Sequence, residues 1–116
     1  DQPWFLNTVV EANTSLEADG LLENCLAVEK ENLRKRDTAK GPRTLDIDII
    51  FYGNDIIRKP GLVVPHPQFA ERRFVLEPLA ELAADFVDPV SRKTIRELLD
   101  TTPDTAEVRH LGPFLL

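Results

Sequence analysis

The run "GPRTLDIDIIF", residues 41–51, sets two aspartates one residue apart in otherwise apolar surroundings. Leu45, Ile47, Ile49, Ile50 and Phe51 are the residue types of a buried strand, and Asp46 and Asp48 interrupt them. In a strand, positions i and i+2 share a face about 6.6 to 7 Å apart. A strand over residues 44–52 therefore aims Asp46 and Asp48 together and leaves Leu45, Ile47 and Ile49 for the core face. Adjacent carboxylates repel, and one holds its proton unless a cation lies between them. Two readings compete: a solvated strand face with two surface aspartates, or a divalent-metal site. Paired magnesium ions about 3.5 to 4 Å apart are the usual reason for such an arrangement in phosphate chemistry. Magnesium takes one or two carboxylates, with substrate phosphates and water as its other ligands. Arg43 stands three residues before Asp46, and Arg34 and Arg36 approach from a predicted helix end. Carboxylates for metal beside arginines for phosphate form the composition of a phosphoryl-transfer site.

Working outward, residues 5–14, "FLNTVVEANT", predict a strand with Phe5, Asn7, Val9 and Glu11 on one face. "SLEADGLLENCLAVEKENLRKR" switches to helical spacing, with Leu21, Leu22, Cys25, Leu26, Val28 and Leu33 as its apolar stripe. Its basic end suits the negative pole of the helix dipole. Residues 37–43 read as a loop, since Pro42 disfavours helix at Gly41. After the turn "YGND", Ile56 and Ile57 form a short return strand, and "RKPGLVVPHPQF" reads as irregular around Pro60, Pro65 and Pro67. "ERRFVLEPLAELAADF" is helical, interrupted or restarted near Pro78, with Leu79, Leu82 and Phe86 spaced for burial. "DPVSRKTIRELLDT" gives a turn and a short last helix carrying Ile95, Leu98 and Leu99. Residues 101–116 read as a tail. Strands separated by helices predict an α+β fold.

At 116 residues the chain is one small domain or a piece of one. It contains no methionine, so a beginning that was removed or left out is expected. No apolar run approaches the roughly 20 residues that cross a bilayer, so no membrane partner is expected. The single Cys25 rules out an intrachain disulfide and fits a reducing cytoplasm. Its place on an apolar stripe reads as core rather than nucleophile. The net charge of −6 argues against nucleic acid as a partner. Yet Lys30, Arg34, Lys35, Arg36, Lys40 and Arg43 cluster just before the aspartates, which suits a compact anion such as a phosphate chain. No P-loop or kinase-type glycine loop is present. His66, fixed beside Pro65, reads either as a phosphate donor or as a loop histidine with no role.

"GPRTLDIDIIFYG" followed by "VVPHPQFAERRFVLEPLAELA" closely resembles the 6-hydroxymethyl-7,8-dihydropterin pyrophosphokinase family of folate biosynthesis. "FLN" near the start and Arg34-x-Arg36 occur in the same order. The resemblance covers about residues 1–100, as the C-terminal two-thirds of the family's domain. It implies a ferredoxin-like sheet with helices on its faces, lacking at the N-terminus the family's opening strand, helix and second strand. It also implies a transferase, an ATP-dependent kinase of the pyrophosphate group, cytoplasmic, with two magnesium ions (Mg2+) as cofactors and ATP as co-substrate. Pyrophosphate would pass from ATP to the hydroxymethyl oxygen of the pterin. By this likeness Asp46 and Asp48 hold the metals, Asp48 helps deprotonate the attacking hydroxyl, and Arg34 and Arg43 neutralise the moving phosphates. Glu29, Arg36, Ile49, His66 and Arg72, with Arg34, would bind ATP. Phe5 and Phe74 would stack on the pterin, Asn7 would read its hydrogen-bonding edge, and Asp46 would lie beside it. Aromatic walls supply dispersion and stacking, and an amide offers donor and acceptor together. Leu33 stands where the family usually has glycine, Ala39 and Lys40 stand where an aromatic or arginine is common before Gly41-Pro42, and around Gly61 the arginine often found shortly before V-P-H is replaced, with Lys59 the nearest cation. The rival reading is a non-catalytic fragment or binding module, with the missing segment or another chain completing the sheet.

Overall fold

The computed structural model describes residues 6–36 and 45–111, with the side chains of Lys35 and Arg36 excepted. Among the described residues the elements run α1 (Ala18–Arg36), β1 (Ile57–Lys59), β2 (Leu62–Val64), a 3-10 turn (Phe69–Glu71), α2 (Arg73–Ala83) and α3 (Ile95–Thr101). Helices with a two-stranded antiparallel ladder make this an α+β chain. Two units divide it: Ala12–Pro67, and Asp1–Glu11 with Gln68–Leu116.

The Ala12–Pro67 unit is built from α1, the segment of residues 45–52, and the β1–β2 hairpin. In the hairpin Ile57 faces Val64, Arg58 faces Val63 and Lys59 faces Leu62. The two residues between the strands are Pro60 and Gly61. Proline presets the first corner of a type II turn, and the second requires positive φ, which Gly61 supplies at 85°. The expectation of an irregular "RKPGLVVPHPQF" is thus corrected, because its first proline serves a turn between paired strands. Leu62 and Val64 are buried and Val63 is exposed, the two-residue alternation of a strand with one core face. Ala18 joins Leu62 and Val64 in the core of this unit, with Leu22, Ile49, Tyr52 and Ile57 packed against them. Tyr52 also donates its hydroxyl to the Leu16 carbonyl.

Helix α1 forms as predicted, but its buried face is narrower than the expected stripe. The half-buried or buried positions are Ala18, Gly20, Leu21, Leu22, Cys25, Glu29 and Asn32, and several recur at the four- and three-residue steps of one helix face. Leu26 and Leu33 flank that face and remain 54% exposed each. The small core offered by one hairpin and one extended segment covers only the middle of the arc.

Neither predicted long strand is paired as a strand among the described residues. Residues 6–14 take no regular structure, and Leu6 and Val10 are 67% and 77% exposed. Residues 45–52 are likewise outside any ladder, although the amide of His66 donates to the carbonyl of Ile50 at 2.9 Å. Strand-forming residues need a neighbouring strand to take their amides and carbonyls, and one backbone bond makes no ladder. Phe5 and Thr44 lie outside the described residues.

In the other unit, α2 and α3 bury Leu76, Leu79, Ile95 and Leu98, with Phe69 buried in the 3-10 turn. Helix α2 continues through Pro78, so the expected interruption does not occur. The ring costs one amide donor, and burial of Leu76 and Leu79 on either side of it holds the helix. Thr94 caps α3 in a reciprocal box: its hydroxyl accepts from the Glu97 amide, and Glu97 accepts from the Thr94 amide. Asp88 is buried and satisfied in a turn, accepting from the amides of Val90 and Ser91. The predicted tail begins as a fastening. Asp104 Oδ2 accepts from the Arg73 amide at 2.7 Å, and the Thr102 hydroxyl donates to the Ala70 carbonyl.

Candidate functional site

Part of the segment of residues 45–52 lines an open cavity of about 310 Å³ within the Ala12–Pro67 unit. Ile47, Asp48 and Ile49 form one wall, and Leu22 of α1 contributes to it. Gly61, Leu62 and Val63 line it from the hairpin, and His66 and Pro67 line it as well. The positions follow from the local chemistry. The tight Pro60–Gly61 turn returns β2 beneath the segment, and the backbone bond from His66 to Ile50 ties the residues after β2 alongside it.

Along the segment, Asp46 and Asp48 are exposed while Ile47 and Ile49 are half-buried. The period of two read from the sequence therefore survives without a full strand, and both carboxylates stand on the solvated side. Leu45 departs from its expected core position at 41% exposed. It starts the described segment. Asp48 borders the cavity; Asp46 does not line it. Ile49 packs on the core cluster.

Glu29 reaches the same segment from α1, where its Oε2 accepts from the Ile47 amide at 2.6 Å. Burial, then the Glu29 charge, pushes the Cys25 thiol up from its ordinary value. A protonated thiol is a poor nucleophile, which fits Cys25 as a packing residue. Arg34 pairs with Glu31 on its own helix at 3.1 Å, both side chains exposed. Arg36 belongs to α1 by its backbone, but its side chain lies outside the described residues, as does Arg43.

Asn7, Arg72 and Phe74 belong to the second unit. Asn7 is exposed in the irregular stretch of residues 6–14. The Arg72 guanidinium lies 5.9 Å from the centroid of the Phe74 ring, within cation–π range, and Arg72 also bonds the Gln68 side chain. Phe74 is 39% exposed at the start of α2. The stacking of Arg72 on Phe74 was not predicted, though an arginine two residues before an aromatic was visible in "RRF". The Glu29 anchor left no sequence signal, since its partner is a backbone amide.

The donor chemistry fits magnesium. Asp46 and Asp48 offer hard carboxylate oxygens on the open side of the segment, the ligand type this ion takes. Among the described residues no group of three or more histidine, cysteine, aspartate or glutamate side chains is gathered for a metal. Two carboxylates sharing an ion with phosphate oxygens and water need no such group. No helix among the described residues is long and apolar enough to cross a membrane.

A family model described as 7,8-dihydro-6-hydroxymethylpterin-pyrophosphokinase (HPPK) matches residues 1–84. The chain is similar to the 2-amino-4-hydroxy-6-hydroxymethyldihydropteridine pyrophosphokinase of Synechocystis sp., 47% identical over 105 residues that cover 90% of this chain and 54% of that protein. The protein of the same name from Methylorubrum extorquens is 46% identical over 99 residues, 85% of this chain and 61% of its own length. The Folic acid synthesis protein fol1 of Pneumocystis carinii is 41% identical over 115 residues, 99% of this chain and 15% of that protein. The chain thus spans less than two thirds of each of these relatives. With the family model matched from residue 1 to residue 84 and identities of this size over most of the chain, it belongs to the 7,8-dihydro-6-hydroxymethylpterin-pyrophosphokinase family.

Proposed function

We propose that the protein carrying this chain transfers pyrophosphate from ATP to 6-hydroxymethyl-7,8-dihydropterin, in folate biosynthesis and in the cytoplasm. The observation that carries the reading is Asp48 on the wall of a cavity, with Asp46 exposed one residue away. Residues 1–100 are read as the C-terminal two-thirds of the catalytic domain, whose sheet is ferredoxin-like.

In this reading Asp46 and Asp48 hold two magnesium ions against the triphosphate. Magnesium held there would supply charge neutralisation to the phosphates. Asp48 accepts the proton of the pterin hydroxymethyl group as its oxygen attacks the β-phosphorus of ATP, and AMP leaves. Arg34 and Arg43 offset the charge that develops on the transferred group; for Arg34 this requires exchanging Glu31 for phosphate, a small cost for an exposed pair. His66 and Ile49 line the nucleotide side, with Arg36 and Arg72 as further contributors and Glu29 contributing through its bond to the Ile47 amide. Phe5 and Phe74 sandwich the pterin, Asn7 pairs with its polar edge, and Asp46 lies beside it. An unpaired buried edge costs about 1 to 3 kcal/mol, which selects pterins over rings lacking that pattern. Positioning and charge neutralisation carry the catalysis, since phosphoryl transfer asks little covalent chemistry of a protein.

Titration calorimetry with a non-hydrolysable ATP analogue, with and without magnesium, tests the reading. Magnesium-dependent binding is expected in the intact protein and lost in Asp46→Ala/Asp48→Ala, with an unchanged melting temperature because both side chains are exposed. Equal binding by the double variant would remove the metal role and favour a module without turnover.

A further inference from the structure

Glu29 grips the aspartate-bearing segment at its centre. Its carboxylate takes the amide of Ile47 at 2.6 Å, and Ile47 is the residue between Asp46 and Asp48. Glu29 is half-buried on the inward face of α1, one turn after Cys25 and two turns after Leu22. On the same segment, the Ile50 carbonyl accepts from His66. In a sheet, a neighbouring strand would take the Ile47 amide. Here a charged acceptor takes it, and such bonds are about twice as strong as neutral ones.

We infer that Glu29 is a positioning residue for Asp46 and Asp48: by fixing the Ile47 amide it sets which side of the segment the two carboxylates face. The inference rests on the proposed reading of those aspartates as the metal-holding pair. Its physical basis is the two-residue period. A slip of one residue would bring the amide of Asp46 or Asp48 to Glu29 and exchange the faces, turning carboxylates toward the core and isoleucines toward solvent. Glu29 acts on the nucleotide through the segment, because its Oε2 is engaged by the Ile47 amide. Residues that orient metal ligands in this way typically change metal affinity by about 10- to 100-fold when removed.

The test compares Glu29→Ala and Glu29→Gln in the intact protein, reading Ile47 amide exchange by NMR and magnesium-dependent binding of a non-hydrolysable ATP analogue. Glu29→Ala is expected to speed Ile47 exchange about tenfold, as loss of one hydrogen bond implies. It should also raise the magnesium concentration needed for nucleotide binding by about 10- to 100-fold, a larger loss than any in magnesium-free binding. Glu29→Gln keeps a carbonyl acceptor and should recover most of both, and that recovery also shows that the fold tolerates the site. Unchanged Ile47 exchange in Glu29→Ala overturns the inference. So does an equal loss of magnesium-free binding, which would mean direct contact with the nucleotide. A Glu29→Gln as impaired as Glu29→Ala overturns it too, since charge would then matter and the bond would not. Absence of magnesium-dependent binding in the unsubstituted protein overturns the functional reading itself; the Ile47 exchange rate distinguishes the two failures, because it responds to Glu29→Ala only if the anchor exists.

Discussion

At Gly61 the backbone φ is 85°, and a methyl group added there would meet no atom within 4 Å. Space is therefore no obstacle to alanine, and conformation is the whole cost. Gly61→Ala is expected to destabilise by about 1 to 2 kcal/mol, the penalty of the left-handed region for an L side chain. A lowered urea midpoint with an unchanged slope measures it; an unchanged midpoint would show that the turn relaxes to another type. The pair Pro60–Gly61 was legible as residue chemistry, yet the prolines around it drew the reading toward irregular chain. Asp46 and Asp48 were legible because a period of two needs only local backbone geometry. Arg34 was read as a phosphate ligand and is found on Glu31, a partner three residues away that the helix itself supplies. Glu29 was read through family likeness as a nucleotide contact, while its bond to Ile47 joins positions 18 apart in sequence and leaves no local mark.

Among the elements, α2 depends on a residue far along the chain. The Arg72 side chain makes no cap hydrogen bond at its start, and Asp104 supplies an acceptor to the Arg73 amide from 31 residues away. The bond from Arg73, then that from Ala106, holds the Asp104 carboxyl below its ordinary value. A carboxyl with a lowered folded value stabilises the fold at pH above its unfolded value, and that stabilisation fades as pH falls through the folded value. Asp104→Asn should therefore melt below the parent protein at neutral pH, with the gap closing as the pH drops under about 3.9, the ordinary aspartate value. A gap of constant size down to acid would show that the charge of Asp104 contributes nothing. The capping box of α3 is written in the sequence as Thr94-x-x-Glu97. The Asp104 fastening is not, because its partner is distant. Helix α1 was legible in existence and length and misread in its buried face, since periodicity gives the arc of apolar residues and the neighbouring surface decides how much of it is covered.

For the whole molecule, burial is divided between the two units, each with its own small set of apolar side chains. Leu76 has no exposed surface, and Leu76→Ala should cost about 2 to 5 kcal/mol through lost transfer energy and a residual cavity. Against a typical total of about 5 to 15 kcal/mol, that is enough to unfold a marginal domain. Chemical denaturation followed by circular dichroism measures it, and a loss under about 1 kcal/mol would mean that the α2–α3 contact collapses around the deletion. The exposed ion pair of Lys59 with Asp19, 2.8 Å apart, contributes at most about 1 kcal/mol, so burial rather than surface charge sets stability.

Local pattern alone determined the α+β class, the three helices, the return strand near Ile57, and the paired aspartates with their neighbouring arginines. These depend on spacing along a few turns or a few extended residues, where the chain's own geometry dictates the outcome. Family membership was also legible, because the motif around Asp46 and Asp48 is specific in itself. Tertiary structure decided which of Asp46 and Asp48 borders the cavity and how much of α1 is covered. It also decided that apolar, strand-forming residues 6–14 and 45–52 lie outside a ladder, and that Glu29 and Asp104 serve as acceptors for distant amides. Those outcomes turn on partners remote in sequence: a strand, a buried face or a cap exists only when another part of the fold presents the complementary group.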